Sequence, residues 1–358
     1  MSEQGAIESL PGQPSKTFSG QIGRTCPAAE FPKQDLLLDT RRFDSEGYWA
    51  FCRFDSEEVP ALRMGFQLGG FNIGTRDRVP DRDLLQLHLE IMGRDGGRLW
   101  LPTGRYPASL VANEAGALDV RLEHGGCEIF RVHGWPQMDW HFRSEEGELE
   151  AELRVAIDTV TILPDCLLPR CVFSMWETMG SAQGNVRIGS HTTRVEGKVF
   201  FDHPRIVHAV REVTPRAMYL YTTLYFGDGS GLFGYHAEDD QGRPIPYYCF
   251  GVYVDPAGRG SFLSSARDPR LAIGPDRMPT AWSFEWRGSD VLVNADITVR
   301  DLPLVRAWGS PSAPRKRSEF TCYPLVLDGK TSIGSSGRTS HLAGAGLAEY
   351  FNAAHYPD

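Results

Sequence analysis

Long apolar runs are missing from this chain: no window approaches the ~20 residues that a membrane-crossing helix requires. The start, Met1 to Gly20, also lacks the apolar stretch of a secretion signal, so no membrane span and a cytoplasmic location are expected. A basic face is missing too. Lys and Arg number 37 against 46 Asp and Glu, a net charge of −9, and the pI near 5.6 argues against a nucleic-acid partner, which needs concentrated positive charge. The nearest approach, Arg315-Lys316-Arg317, lies in a Pro/Ser segment and reads as a solvated loop.

Metal and cofactor signatures are equally scarce. The seven cysteines, Cys26, Cys52, Cys127, Cys166, Cys171, Cys249 and Cys322, form no C-x-x-C, which fits a reducing compartment and small buried hydrophobes. Neither H-x-H nor H-E-x-x-H occurs, and His203 and His208, five apart, would face opposite ways on a strand, so no metal is expected. Gly334-Ser335-Ser336-Gly337 has the wrong spacing for a G-x-S-x-G nucleophile. Gly227-Asp228-Gly229-Ser230-Gly231 leads into a strand instead of a helix and reads as a hairpin turn, not a phosphate loop. No cofactor is expected.

What the chain has is a period of two. Leu85, Leu87, Leu89 and Ile91 alternate with Gln86, His88 and Glu90; Leu118, Val120 and Leu122 alternate with Asp119, Arg121 and Glu123. The pattern returns at Leu149, Ala151, Leu153 and Val155, and at Trp282, Phe284 and Trp286. Between the runs lie turn signals: Asp95-Gly96-Gly97, Glu114-Ala115-Gly116, Gly125-Gly126, Glu146-Gly147, Asp228-Gly229-Ser230-Gly231, Gly288-Ser289-Asp290 and Asp328-Gly329. The best helical candidate, Leu347 to Ala354, reads equally well as a last strand. Thirty-eight glycines and 24 prolines serve many short turns.

At 358 residues the expected fold is therefore all-β, two lipocalin-like antiparallel β-barrels in tandem that remove raw strand edges. The expected boundaries are a flexible segment over 1–31, a first barrel over 32–180 that ends in a crossing segment from Ile162, and a second barrel over 181–358.

One cluster stands out chemically. Glu196 to Arg205 sets Asp202, His203 and Arg205 beside Val199, Phe200 and Phe201. In an apolar site burial would keep the Asp202 carboxyl protonated and His203 could hold or shuttle its proton, the equipment of general acid catalysis; the competing reading is a turn cap with surface ion pairs. Trp135 to His141, with Trp140, and Cys171 to Glu177, with Trp176, supply aromatics for an apolar pocket or simply for a core. Tyr219, Tyr221 and Tyr225 share one strand face; if it looked into the barrel, a phenol could donate a proton.

W-E-x-M-x-x-x-x-G at Trp176 to Gly184, G-x-x-x-x-D-H at Gly197 to His203 and G-x-G-x-x-E-Y at Gly344 to Tyr350 follow in order. With them, the chain from about residue 35 resembles the hydroxyneurosporene synthase (carotenoid 1,2-hydratase) superfamily, which includes kievitone-hydratase-like proteins and fungal decalin-forming Diels-Alderases. The resemblance implies tandem lipocalin-like barrels and cofactor-free hydration, isomerisation or cyclisation of a terpenoid, carotenoid or polyketide. Asp202-His203 match the carotenoid hydratases; Pro204-Arg205 stand where those have a Trp, and Tyr225 and Asp228 are loose counterparts of their later Tyr and Asp.

The expected function is an enzyme acting on a hydrophobic small molecule, with Asp202 as acid, His203 as its proton partner and Glu177 or Tyr225 as a second acid/base. Trp140, Trp176, Arg205, Tyr221 and Trp286 are the expected substrate-binding residues. The alternatives are a non-catalytic carrier and a pericyclase relying on shape and a donor such as Tyr225 or Arg205.

Overall fold

Alternation does produce strands. The computed structural model describes residues 24–32, 36, 45–69, 84–92, 98–100, 103–107, 111–113, 118–162, 166–168, 171–208, 218–238, 241–244, 249–274, 279–301, 323–335 and 337–352. Among these the helical residues are 3-10 only, the short turn Ala28–Glu30 and Leu36, and no helix is long and apolar enough to cross a membrane. The expected turns at 95–97 and 114–116, the Arg315-Lys316-Arg317 run and residues 1–23 lie outside the described residues.

The chain divides into two compact units at Val213/Thr214. Strands of the first are β1 (Arg24–Pro27), β2 (Ser45–Phe54), β3 (Ala61–Gly69), β4 (Leu84–Met92), β5 (Arg98–Trp100), β6 (Thr103–Pro107) and β7 (Val111–Asn113). They continue as β8 (Asp119–His124), β9 (Cys127–His133), β10 (Gln137–Arg143), β11 (Leu149–Ile162), β12 (Cys166–Leu168), β13 (Cys171–Ile188) and β14 (His191–His208). All 14 belong to one sheet with the path β5-β4-β3-β2-β14-β13-β11-β10-β9-β8-β7, to which β1, β12 and β6 are added on β11, β13 and β4.

Two expectations change here. The boundary falls well after residue 180, because β13 is not a crossing segment: it pairs with β11 over Leu149–Ile162 on one side and with all of β14 on the other. Gly180 serves that pairing, since a Cβ there would stand 2.0 Å from the Ala156 carbonyl oxygen. Nor is all of 1–31 a loose tail. β1 pairs with β11, and Phe31 is buried in the core.

The core face follows the alternation read from the sequence. Leu149, Ala151, Leu153 and Val155 of β11 and Met138, Trp140 and Phe142 of β10 turn inward, whereas Glu152 and Arg154 are exposed. A register shift between Ile157 and Thr159 inserts Asp158, after which Val160 and Ile162 take the inner positions.

The second unit is a closed barrel in which each strand pairs with the next and the last with the first. Its strands are β15 (Met218–Phe226), β16 (Gly231–Ala237), β17 (Phe250–Val254), β18 (Gly260–Ile273), β19 (Pro279–Arg287), β20 (Val291–Asp301), β21 (Tyr323–Ser335) and β22 (Arg338–Asn352). Its interior gathers Leu220, Leu224, Phe226, Trp282, Phe284 and Trp286. The Trp286 indole occupies the space that side chains at Gly234 and Gly251 would need, with Cβ positions 2.3 and 2.4 Å from its carbons. Asp328-Gly329 is no turn: both lie inside β21, where Gly329 makes room for Leu224. Leu347 lies in the last strand, not in a helix.

Candidate functional site

The side chains singled out by sequence meet where β2, β14 and β13 run side by side. β13 and β14 are joined by a tight turn at Gly189, whose φ of 58° suits a residue without Cβ. Their register sets Trp176 opposite His203 and Glu177 opposite Asp202; on the far side of β14, Trp49 stands opposite Asp202 and Glu46 opposite Arg205. Neighbouring residues on a strand point to opposite faces, so Asp202 and His203 do not act on each other as a proton pair. This corrects the expected partnership.

On the inner face, His203 is wholly buried. Its Nε2 stands 2.8 Å from Glu46 Oε1, and both side chains are 0% exposed. The same oxygen accepts a hydrogen bond from Arg205 Nε at 2.8 Å. A carboxylate between an imidazole and a guanidinium is the arrangement that lets charged groups stay away from water.

Aromatic rings surround this triad. Tyr48 lies over His203 with centroids 4.3 Å apart; Trp176 meets the imidazole edge to face at 5.0 Å. Phe31 and Trp135 pack on Trp176, and Phe201 links Trp176 to Trp140. The Tyr48 hydroxyl donates to the Leu36 carbonyl. Burial first, and then the Glu46 carboxylate, raise the Tyr48 phenol well above its usual range, against the pull of Arg205, so it serves as a donor and a wall. Trp140 borders a cleft of about 570 Å³ whose lining includes Leu153, His141, Glu152 and Arg194.

The outer face is buried at this point as well. Asp202 and Glu177 stand directly opposite each other at 5% and 0% exposure. Beside them the Arg63 guanidinium lies 5.2 Å from the centre of Trp49 and 5.8 Å from that of Phe51. Two carboxyls and a guanidinium thus share a desolvated layer.

The remaining predicted residues belong to the other unit. Tyr221 and Tyr225 are buried but alternate with Leu220, Leu224 and Phe226, which own the barrel interior; the tyrosine face looks away from it, and Tyr221 packs on Tyr235 at 4.5 Å. Trp286 fills the barrel. For metal binding, His141, Glu150 and Glu152 bring ligand-type atoms within 4.8 Å of one another. Two of the three already serve other bonds: His141 contacts Glu128 and Glu150, and Arg187 holds Glu150 at 2.7 Å.

Glu46, Tyr48, Trp49 and Arg63 went unnoticed in the sequence. The available signal was a lone glutamate in Glu46-Gly47-Tyr48-Trp49-Ala50-Phe51-Cys52, a strand otherwise made of apolar and aromatic residues. Such a residue is buried with a partner or not tolerated.

The fold and its buried polar layers place the chain among two-unit, almost entirely antiparallel β-proteins. No family model matches the sequence, and no curated protein matches it by sequence. Among solved structures, an AttH-like protein from Nitrosomonas europaea superposes with a TM-score of 0.59 over 95% of this chain and 98% of its own, at 12% identity. Kievitone hydratase from Nectria haematococca gives 0.48 at 9% identity, covering 96% and 98% of the two chains. CghA, crystallised with Sch210972, gives 0.45 at 10% identity over 96% and 94%. The first of these likenesses establishes a shared fold, the tandem β architecture expected from the sequence.

Proposed function

We propose that the first unit performs proton-transfer chemistry on an apolar small molecule of terpenoid or polyketide type, hydrating, isomerising or cyclising it. The observation that carries this reading is an imidazole buried to 0% exposure, 2.8 Å from a buried carboxylate and walled by Tyr48 and Trp176. Desolvated ionisable groups beside a specific charge partner concentrate at functional sites, which is what favours chemistry here.

In this reading His203 gives a proton to the substrate, Glu46 fixes the ring and balances the imidazolium, and Arg205 keeps the Glu46 oxygen in place. Protonating an alkene creates a carbocation. The faces of Trp176, Tyr48 and Phe201 offer it negative quadrupole density, and a dry aromatic layer denies it stray water. Trp140 extends this aromatic layer through Phe201.

A second locus is Asp202 with Glu177, favoured by their burial directly opposite each other; there Asp202 is the acid and Glu177 the base. Tyr221, Tyr225 and Trp286 take no part in either version.

The test is conversion of a panel of acyclic terpenoid and polyketide polyenes in D2O, read by mass spectrometry. Proton transfer to carbon places deuterium in the product, and His203→Gln should lower the rate at least a hundredfold. A panel member that binds without conversion, with affinity indifferent to His203→Gln but weakened by Trp140→Ala, would replace the enzyme with a carrier.

A further inference from the structure

The second unit holds a nucleophile, a base and an orienting carboxylate in a row that proton transfer in the first unit does not use. We propose that Cys249, His236 and Glu238 form an activated-thiol site that captures small apolar electrophiles of the α,β-unsaturated carbonyl class by covalent addition.

The geometry follows from strand register. Tyr235 of β16 pairs with Phe250 of β17, so the next residue on β16, His236, faces Cys249 just before β17. Cys249 Sγ lies 3.4 Å from His236 Nδ1. His236 Nε2 lies 3.0 Å from Glu238 Oε1, and Glu238, two residues along, projects to the same side. In the tautomer whose Nε2–H donates a hydrogen bond to the Glu238 carboxylate, the Nδ1 lone pair faces the thiol. A second acceptor for the thiol proton is the Ala237 carbonyl at 3.6 Å.

The row runs from the barrel interior towards its rim. His236 is 2% exposed and Glu238 27% as side chains, while Cys249 keeps 8% exposure. Among the described residues the titratable groups meeting His236 are Cys249 across the strand pair and Glu238 on its own strand; β15 places Leu220 directly opposite it. Leu220 pairs in turn with Tyr350 of β22, and both belong to the apolar core. On the thiol's other flank the Ser265 N–H bonds to the Cys249 carbonyl and Ser265 pairs with Trp286, so the surroundings are uncharged, which selects an uncharged electrophile. Cys52 shows what a thiol without such support does: burial alone raises it far above its ordinary range, leaving it inert.

The step balances without any further reagent. The thiol proton passes to Nδ1, the sulfur lone pair forms a C–S bond at the β-carbon, and the C=C π pair moves into the carbonyl as an enolate. The imidazolium then returns the proton to the α-carbon, so the product is the simple adduct.

N-ethylmaleimide is the probe. The full chain is treated with limiting reagent at neutral pH, and adducts are located by peptide mass mapping, with the exposed Cys127 as internal reference. Cys249 should react at least tenfold faster than Cys127 despite its burial. His236→Gln should bring it below Cys127, and Glu238→Gln, at the partly exposed rim, should slow it several-fold. A wild-type Cys249 slower than Cys127 overturns the proposal, as does a rate untouched by Glu238→Gln. Should His236→Gln fail to fold, Glu238→Gln alone decides.

Discussion

The first unit seals Glu46, His203 and Arg205 behind aromatic rings, while the second fills the middle of a closed barrel with Trp286 seated on Gly234 and Gly251. Both interiors are dense, yet their errors would differ in kind. Removing one member of the charged triad strands its partners without water. Removing space in the barrel sets one ring against a backbone. A sheet that has to keep charges away from solvent is carrying a cost that packing does not require, and this is the physical reason to look for chemistry in the first unit.

The contrast can be broken most forcefully at Glu46. Glu46→Ala should destabilise the first unit by about 3–5 kcal/mol, because His203 and Arg205 stay buried without a counter-charge; chemical denaturation followed by tryptophan fluorescence reads it. A loss below 1 kcal/mol would mean that the triad is already hydrated. Next in size is Gly251→Ala, expected to cost about 1–3 kcal/mol by overpacking. Shrinking the ring in Trp286→Leu should make the two changes non-additive, with Gly251→Ala milder in that background.

The smallest effect belongs to the surface of the first unit. The Arg187 hydrogen bond, opposed by partial burial and aided by His141, holds the Glu150 carboxyl below its usual range. A carboxyl with a lowered folded value stabilises fully above the unfolded value, near pH 4.5, and loses that contribution as pH falls through the folded one. Glu150→Gln should therefore remove about 0.5 kcal/mol at neutral pH, after solvent screening, and flatten the acid limb of the stability curve. An unchanged acid limb would show that the pair is screened out.

Strands were legible because burial on one face writes itself into alternate residues, as at Leu149 to Val155 and Trp282 to Trp286. Pairings between distant segments were not. That β2 lies along β14, so that Glu46 meets Arg205 across 159 positions of chain, has no local signature. The break at Val213 has no local signature for the same reason: the prolines and glycine of 162–183 have the composition of a connector, yet β11 and β14 flank β13 on either side.

Two side-chain directions follow from alternation alone. The alternation rule that found the strands also sends Asp202 and His203 to opposite faces, and it assigns the barrel interior to the more apolar side of β15, Leu220, Leu224 and Phe226, away from the tyrosines. The aromatic walls Trp140 and Trp176 were visible as composition; their meeting through Phe201 was not.

The most direct measurement compares two single variants on the same polyene in D2O: kcat/KM for His203→Gln and for Asp202→Asn, each checked for an intact melting transition. The inner-face account predicts at least a hundredfold loss for His203→Gln and a far smaller one for Asp202→Asn. The reverse order would put the reaction on the outer face, beside Glu177, and contradict it.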